Sequence, residues 1–326
     1  MDVVDKSKLT VDLKTVQEAE KRIRPYVRKT PVTQINLPGG EPVVLKLENM
    51  QNTNAFKIRG ASNFLLQMTD EQKKNGVTTG SSGNHAQGVA LAAQLLGIKC
   101  IVCMPEHAPK AKVEASRARG AEVELVPGFY TEACDAAHEH ERKEGMVYVP
   151  AFADERIIAG QGTIALEILE QVPECGRIIT AIGGGGMISG IAAAAKGIRP
   201  DIKIIGVEAE NAACMYASWK AKKLQTIEPA ESIADGTISK EVSQLTLDYC
   251  EAYVEDVVTV NEEEIKKAVV YNLEHGRIVS EGAGALPLAA LLSGKIPASV
   301  KGDTVCVVSG GNIDLQMLAQ IIEEQI

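Results

Sequence analysis

The sequence predicts an α/β protein made of two parallel-sheet units, with the smaller inserted in the larger. From residue 77 to 150, short apolar runs alternate with longer segments of 3.6-residue period, and the alternation resumes from residue 155 to 308. A helix and a strand before residue 75 are assigned to the second, larger unit. Alternating β and α segments with short connections imply a parallel sheet covered by helices on both faces. The expected division is residues 1–75 and 154–326 for the larger unit and 76–153 for the smaller one.

Taken in order, an N-terminal helix is expected over 13–27 and a strand over 43–47. The smaller unit offers strands at 77–79, 98–104, 121–126 and 146–149, and helices at 84–96, 109–119 and 131–144. Pro109 suits a first helical turn, while Gly97 and Gly120 suit helix ends. The larger unit continues with helix 155–171, strand 177–182, helix 187–197, strand 202–207, helix 262–275 and strand 303–308. Residues 209–240 are the least regular part, and no repeat or low-complexity tract appears. A ligand is expected between the units, at the carboxyl ends of the strands.

Composition narrows the function classes. A formal charge of −9 without a basic stripe argues against nucleic acid as partner. The start Met1-Asp2-Val3-Val4-Asp5-Lys6 lacks the apolar core of a signal peptide, and no membrane-spanning apolar run occurs, so a cytoplasmic protein is expected. Seven scattered cysteines read as reduced thiols. Cys100 and Cys103 imitate Cys-x-x-Cys, but on a strand residues three apart face opposite sides, so the pair cannot share a metal or a bond. His138-Glu139-His140 lacks zinc-protease spacing and reads as a solvated helix face.

The most informative segment is Gly183 to Gly186, between the apolar run 178–182 and the helical pattern opening at Met187. Bare backbone permits close approach, and the amides opening a helix turn free N–H groups and partial positive charge toward an anion. The run is also compatible with a mere tight strand-to-helix connection. Walker-type binding is excluded because Met187 follows the last glycine where lysine is required. The dinucleotide fingerprint fails because its final glycine would fall on Ile188 or Ser189, although Glu208 ends the next strand where a ribose-binding acid would sit. A smaller phosphate ester remains, whose other end is held elsewhere in the chain.

Three further segments supply that other end: 52–60 with Phe56-Lys57-Ile58-Arg59-Gly60, Ser81-Ser82-Gly83-Asn84-His85, and Ser309-Gly310-Gly311-Asn312. With these in order, the chain resembles the fold-type II family of pyridoxal-5′-phosphate (PLP) enzymes, whose fold is like the β chain of tryptophan synthase. Within it the chain is most similar to the serine/threonine dehydratases, catabolic threonine dehydratase among them, and to serine racemases. The resemblance extends through 159–163, Ala234-Asp235-Gly236 and 281–285, covering essentially the whole chain.

The resemblance implies that Lys57 carries the cofactor as a Schiff base and moves protons, with Phe56 before it. Gly183, Gly184, Gly185, Gly186 and Met187 are implied to cradle the phosphate, Asn84 to bond the ring hydroxyl, and Ser309 to face the ring nitrogen. Asn84 also reads as a helix N-cap. A neutral serine cannot keep the pyridine protonated, so the ring is a weaker electron sink, suited to charge that leaves at once through a β-substituent. Ser81, Ser82, Gly83, Asn84 and His85 are implied to grip a substrate carboxylate through hydroxyls and a helix N-terminus. The expected reaction is dehydration of L-threonine or L-serine to a 2-oxo acid and ammonia, with serine racemisation or threo-3-hydroxyaspartate dehydration as alternatives. Relatives are dimers or tetramers, so a homodimer or homotetramer is expected.

Several positions depart from the family pattern. Ala55 stands where many relatives carry serine. The divalent-metal ligands of serine racemases fall on Glu208, Ala212 and Cys214, where a thiol replaces a hard carboxylate oxygen, so Mg²⁺ or Ca²⁺ is disfavoured. Ser82 matches the serine that racemases place opposite the lysine, and the racemase arginine aligns with Glu132. The chain ends soon after its last helix, so the regulatory domain of biosynthetic threonine dehydratases is not expected. A dehydrogenase fails on glycine spacing, and a non-catalytic relative is disfavoured by the intact Lys57, Asn84, glycine run and Ser309.

Overall fold

The computed structural model describes residues 6–228, 230–298 and 300–325. The first five residues, on which the leader reading rests, lie outside them. In chain order the elements are α1 (Leu13–Ile23), β1 (Val32–Asn36), β2 (Pro42–Leu47), α2 (Ile58–Leu66), α3 (Asp70–Asn75), β3 (Val77–Gly80), α4 (Asn84–Leu96) and β4 (Cys100–Pro105). There follow α5 (Lys110–Arg117), β5 (Glu122–Val126), α6 (Tyr130–Glu144), β6 (Val147–Tyr148), α7 (Glu155–Gln171), β7 (Cys175–Ala181), α8 (Gly186–Ile198) and β8 (Lys203–Ala209). The chain closes with α9 (Cys214–Ala221), α10 (Gln244–Tyr253), β9 (Asp256–Val260), α11 (Glu262–Gly276), α12 (Gly282–Leu292), β10 (Asp303–Val308) and α13 (Leu315–Gln325).

Two sheets result. The larger runs β1-β2-β10-β7-β8-β9 and is parallel except for the β1–β2 pair. The smaller runs β5-β4-β3-β6 and is wholly parallel. Strands from both ends of the sequence share the larger sheet, because β2 and β7 flank β10. Central strands of a covered parallel sheet are apolar on both faces, and β4 and β10 are buried along nearly their whole length. Among the described residues no helix is long and apolar enough to cross a membrane.

Close helix packing sets the position of the pocket. A Cβ on Gly160 of α7 would lie 2.6 Å from Gly60 Cα, and Gly60 N donates to the Gln161 side chain at 3.1 Å. Further along, α7 packs on α8 where a Cβ on Gly162 would lie 2.8 Å from the Gly190 carbonyl oxygen. One helix thus fixes the openings of both α2 and α8, the two segments that carry Lys57 and the glycine run. Behind α2, Arg59 is buried and bidentate to Glu48 at 2.8 Å on both contacts, and it also reaches Glu167 at 2.7 Å. Lys46 joins Glu167 at 2.6 Å, so two cations and two carboxylates balance out of water.

Several local expectations change. Gly83, not Asn84, is the N-cap of α4, with no side chain capping it. The N-terminal helix stops at Ile23 rather than Val27. The cysteines are free thiols, and Cys100 and Cys103 lie in separate apolar clusters on opposite faces of β4. His138 and His140 are half-buried instead of fully solvated: His138 stacks on Tyr148 at 3.9 Å and His140 bonds Glu124 of β5.

Candidate active site

A pocket opens at the carboxyl ends of the strands. Phe56, Lys57, Asn84, Gly183 through Gly186, Met187 and Ser309 all line it. These residues are drawn from more than 250 positions of sequence, as the small numbers of Phe56 and the large number of Ser309 show. Ser309 directly follows β10 and its carbonyl accepts from Phe56 N at 3.1 Å, tying the lysine segment to that strand. Ser81, Ser82, Gly83 and His85 are not among the lining residues.

Lys57 immediately precedes α2, and its Nζ donates to the Ala151 carbonyl at 3.0 Å. Burial lowers its pKa to about 8, against the opposing pull of Glu281. The glycine run turns into α8 at Gly185, whose φ of +92° is open to glycine and strained for other residues. No side chain caps α8, so its first amides remain free to meet an anion. A Cβ on Gly184 would run into the ring of Phe152, which also lines the pocket. Here the glycines clear a cradle as well as making a connection.

Asn84 has both ends of its amide assigned. Its Nδ2 donates to Glu281 Oε1 at 2.6 Å, and its Oδ1 accepts from Asn312 Nδ2 at 2.7 Å. Asn312 also donates to Thr53 O at 2.8 Å. An ionised Glu281 can only accept, which orients the Asn84 NH₂ toward it and leaves the second amide hydrogen free of that bond. Glu281 is itself buried; desolvation and the Asp235 carboxylate push its pKa up to about 7, while Asn84 and Lys112 pull it down. Asp235 pairs at 2.6 Å with Lys112 of α5, an ion pair that joins the two sheet units beside the pocket.

His85 faces away from the pocket's lining. Its Nε2 lies 2.9 Å from the Val149 carbonyl, and burial, with Lys57 adding to it, lowers its pKa to about 3. It is therefore a neutral donor at physiological pH, fixing the loop rather than carrying protons. Glu132 caps α6, accepting from Phe129 N at 2.7 Å, and does not line the pocket. Glu208 spends its carboxylate on the first amides of α9, accepting from Met215 N at 3.0 Å and Tyr216 N at 2.6 Å. Burial pushes its pKa up to about 8, and Cys214 Sγ stands 3.9 Å away where a divalent site would need an oxygen.

Phe152, Gln161, Thr237 and Glu281 line the pocket without being singled out by the sequence as site residues. Gln161, Gly236 and Glu281 lie in segments that carried the family resemblance, so position in those segments was the available signal. Phe152 belongs to no such segment.

Comparison with known proteins gives the family. The family model described as "Pyridoxal-phosphate dependent enzyme" matches residues 23–311. The chain belongs to this family. An L-threonine ammonia-lyase of Thermotoga maritima is 42% identical over 319 residues, covering 96% of this chain and 79% of that protein. The catabolic L-threonine dehydratase TdcB of Staphylococcus aureus is 42% identical over 320 residues, covering 96% of this chain and 92% of that protein. Among solved structures, maize serine racemase superposes with a TM-score of 0.90 at 37% identity, covering 96% of this chain and 97% of that one. As a PLP-dependent enzyme the chain has the parallel-sheet α/β fold expected of it, and PLP is its cofactor. The residues present fit that group: a desolvated lysine, a glycine cradle at an uncapped helix, and an oriented amide converge on one pocket.

Proposed function

We propose that the chain dehydrates L-threonine or L-serine, releasing ammonia and 2-oxobutanoate or pyruvate. Lys57 Nζ carries the reading, desolvated to a pKa of about 8 and facing the glycine cradle. The dehydratases at 42% identity support the substrate class.

Bound PLP supplies an electron sink for the pair left at Cα when its proton departs. Gly183 through Gly186, with Met187, hold its phosphate by backbone N–H groups at the opening of α8. Asn84, oriented by Glu281 and Asn312, would donate to the ring hydroxyl, and Ser309 would face the ring nitrogen. Lys57 moves the proton at Cα. Burial that lowers its pKa to about 8 favours the neutral amine, the form able to take a proton, over what an ordinary lysine offers. The uncapped start of α4 at Gly83 and Asn84 receives the substrate carboxylate, with Ser81 and Ser82 beside it. Lys112 and Asp235, a partly solvent-exposed ion pair, bridge the smaller unit to the larger beside the pocket. The smaller unit spans residues 76–153, and the larger spans 1–75 and 154–326. The enzyme works in the cytoplasm as a homodimer or homotetramer, on a small amino acid, without nucleic acid or membrane.

Serine racemisation is the second reading, favoured by Ser82 and by the likeness to maize serine racemase. Incubation with L-serine, L-threonine and L-threo-3-hydroxyaspartate, scoring keto acid and D-isomer in one tube, separates the readings. Keto acid with little D-isomer is expected; D-serine as main product would reverse the order, and no turnover of any of the three would end both.

A further inference from the structure

A second constellation lies on the outer face of the smaller sheet. β4 and β5 run parallel with Cys103 and Glu124 as Cα partners, so their side chains stand side by side on one face. Helix α6 packs over β3 and β4 and lowers His140 onto that pair. Cys103 Sγ, a Glu124 carboxylate oxygen and a His140 ring nitrogen lie within 4.8 Å of one another, and among the described residues no other such trio of potential ligands converges. None of the three lines the PLP pocket.

We propose that Cys103, Glu124 and His140 form a zinc site that clips α6 to β4 and β5. The donor set is one thiolate, one imidazole and one carboxylate, a combination suited to tetrahedral Zn²⁺ with its fourth position open to water. The next shell is already in place. His140 uses Nε2 toward Glu124 at 2.6 Å and Nδ1 toward Glu144 at 2.6 Å, and Glu144 is in turn 3.8 Å from Lys99. A carboxylate on the distal ring nitrogen is the usual device for orienting a metal-bound histidine and raising its basicity. Ligand atoms on a tetrahedral zinc stand about 3.5 Å apart, so metal entry opens the His140–Glu124 hydrogen bond and draws the thiol inward by roughly 1 Å.

Charge also balances. One thiolate and one carboxylate neutralise the ion, and binding releases the thiol proton together with the Nε2 proton where His140 carries one. Without metal, burial and the neighbouring carboxylate push the Cys103 thiol up to about 12, leaving it inert. Cys103 is fully buried while the His140 and Glu124 side chains are 18% and 46% exposed, which leaves an entry path from solvent on one side. The clip acts near the active site without belonging to it. Cys134 of α6 rests against Gly80, with Sγ 3.7 Å from the Gly80 carbonyl, one residue before the Ser81 loop.

The test uses the PLP-loaded full chain, stripped with chelator and titrated with CoCl₂ and then ZnCl₂. A near-ultraviolet thiolate-to-cobalt band at one ion per chain is expected, bleached by zinc, together with a rise in Tm of roughly 3–8 °C at a hundredfold excess of zinc over its Kd. Cys103→Ser should abolish the band and the shift, and His140→Ala, on a surface helix, should weaken both at least tenfold if the first variant does not fold. A band that persists in Cys103→Ser, placing the ion at another thiol such as Cys214, would overturn the proposal. So would the absence of any band in the unaltered chain. PLP loading and ammonia release should survive either variant, so failure here is distinct from failure of the dehydratase reading.

Discussion

Gly185→Ala tests whether the cradle depends on its backbone shape. At φ +92° a residue with a Cβ costs roughly 1–2 kcal/mol in left-handed strain. The new Cβ would also stand 2.7 Å from Met215 Cε and 2.8 Å from Thr246 Cβ, an overpacking worth roughly 1–3 kcal/mol. Together these predict a loss of about 2–5 kcal/mol, which has two places to appear. If the turn keeps its shape, the apoenzyme unfolds earlier by that amount. If the turn relaxes, its amides swing away from the phosphate and PLP affinity falls, tenfold for every 1.4 kcal/mol. Denaturant unfolding of the apoenzyme and fluorescence titration with PLP measure the two parts, and their sum should be at least about 2 kcal/mol. A variant that binds PLP as tightly as the unaltered chain and unfolds within about 0.5 kcal/mol of it would refute the reasoning.

Other expectations follow from single contacts. Arg59→Met leaves the buried Glu48 carboxylate without its ion partner and Glu167 with Lys46 alone, and should cost roughly 3–5 kcal/mol by urea unfolding; a loss under about 1 kcal/mol would mean the network is solvated. His85 has a folded pKa of about 3 against about 6.5 unfolded, so between those values the unfolded chain binds more protons. Stability should therefore be lost as pH falls from 6.5 toward 3, and its NMR ring signals should stay flat from pH 5 to 8; titration near 6.5 would contradict its burial. Ser82→Ala should abolish any D-serine formation while ammonia release falls by a smaller factor, measured by chiral chromatography; ammonia and D-serine falling by the same factor would confine Ser82 to the carboxylate grip.

How much of this was legible in the sequence depends on the kind of burial. Helix α6 with its polar face and the apolar strands β4 and β10 declare their period, and α4, α7 and β10 run over the expected residues, α7 being buried from Ile157 to Ala165 but bounded by polar residues at both ends. Helix α2 did not, because Ile58 through Leu65 are all buried and its polar residues Arg59 and Asn63 face other protein groups, not solvent. Helix α12 hides for the same reason, with Pro287 and two glycines inside a segment buried from Gly282 to Leu291. Strand β1 is an edge strand with one buried residue, too polar to read as a strand. At the site, Lys57, Asn84, the glycine run and Ser309 were legible as motif residues. Phe152 and the Lys112–Asp235 pair were not, since contacts between two sheet units leave no spacing in the chain.

The bearing of Lys57 on the cofactor can be read chemically. Borohydride reduction of the yellow holoenzyme, followed by proteolysis and mass spectrometry, should place one pyridoxyl group per chain on the peptide containing Lys57, with Lys57→Ala colourless and unlabelled. A label on a different lysine, or a Lys57→Ala protein that stays yellow and still releases ammonia, would contradict the assignment.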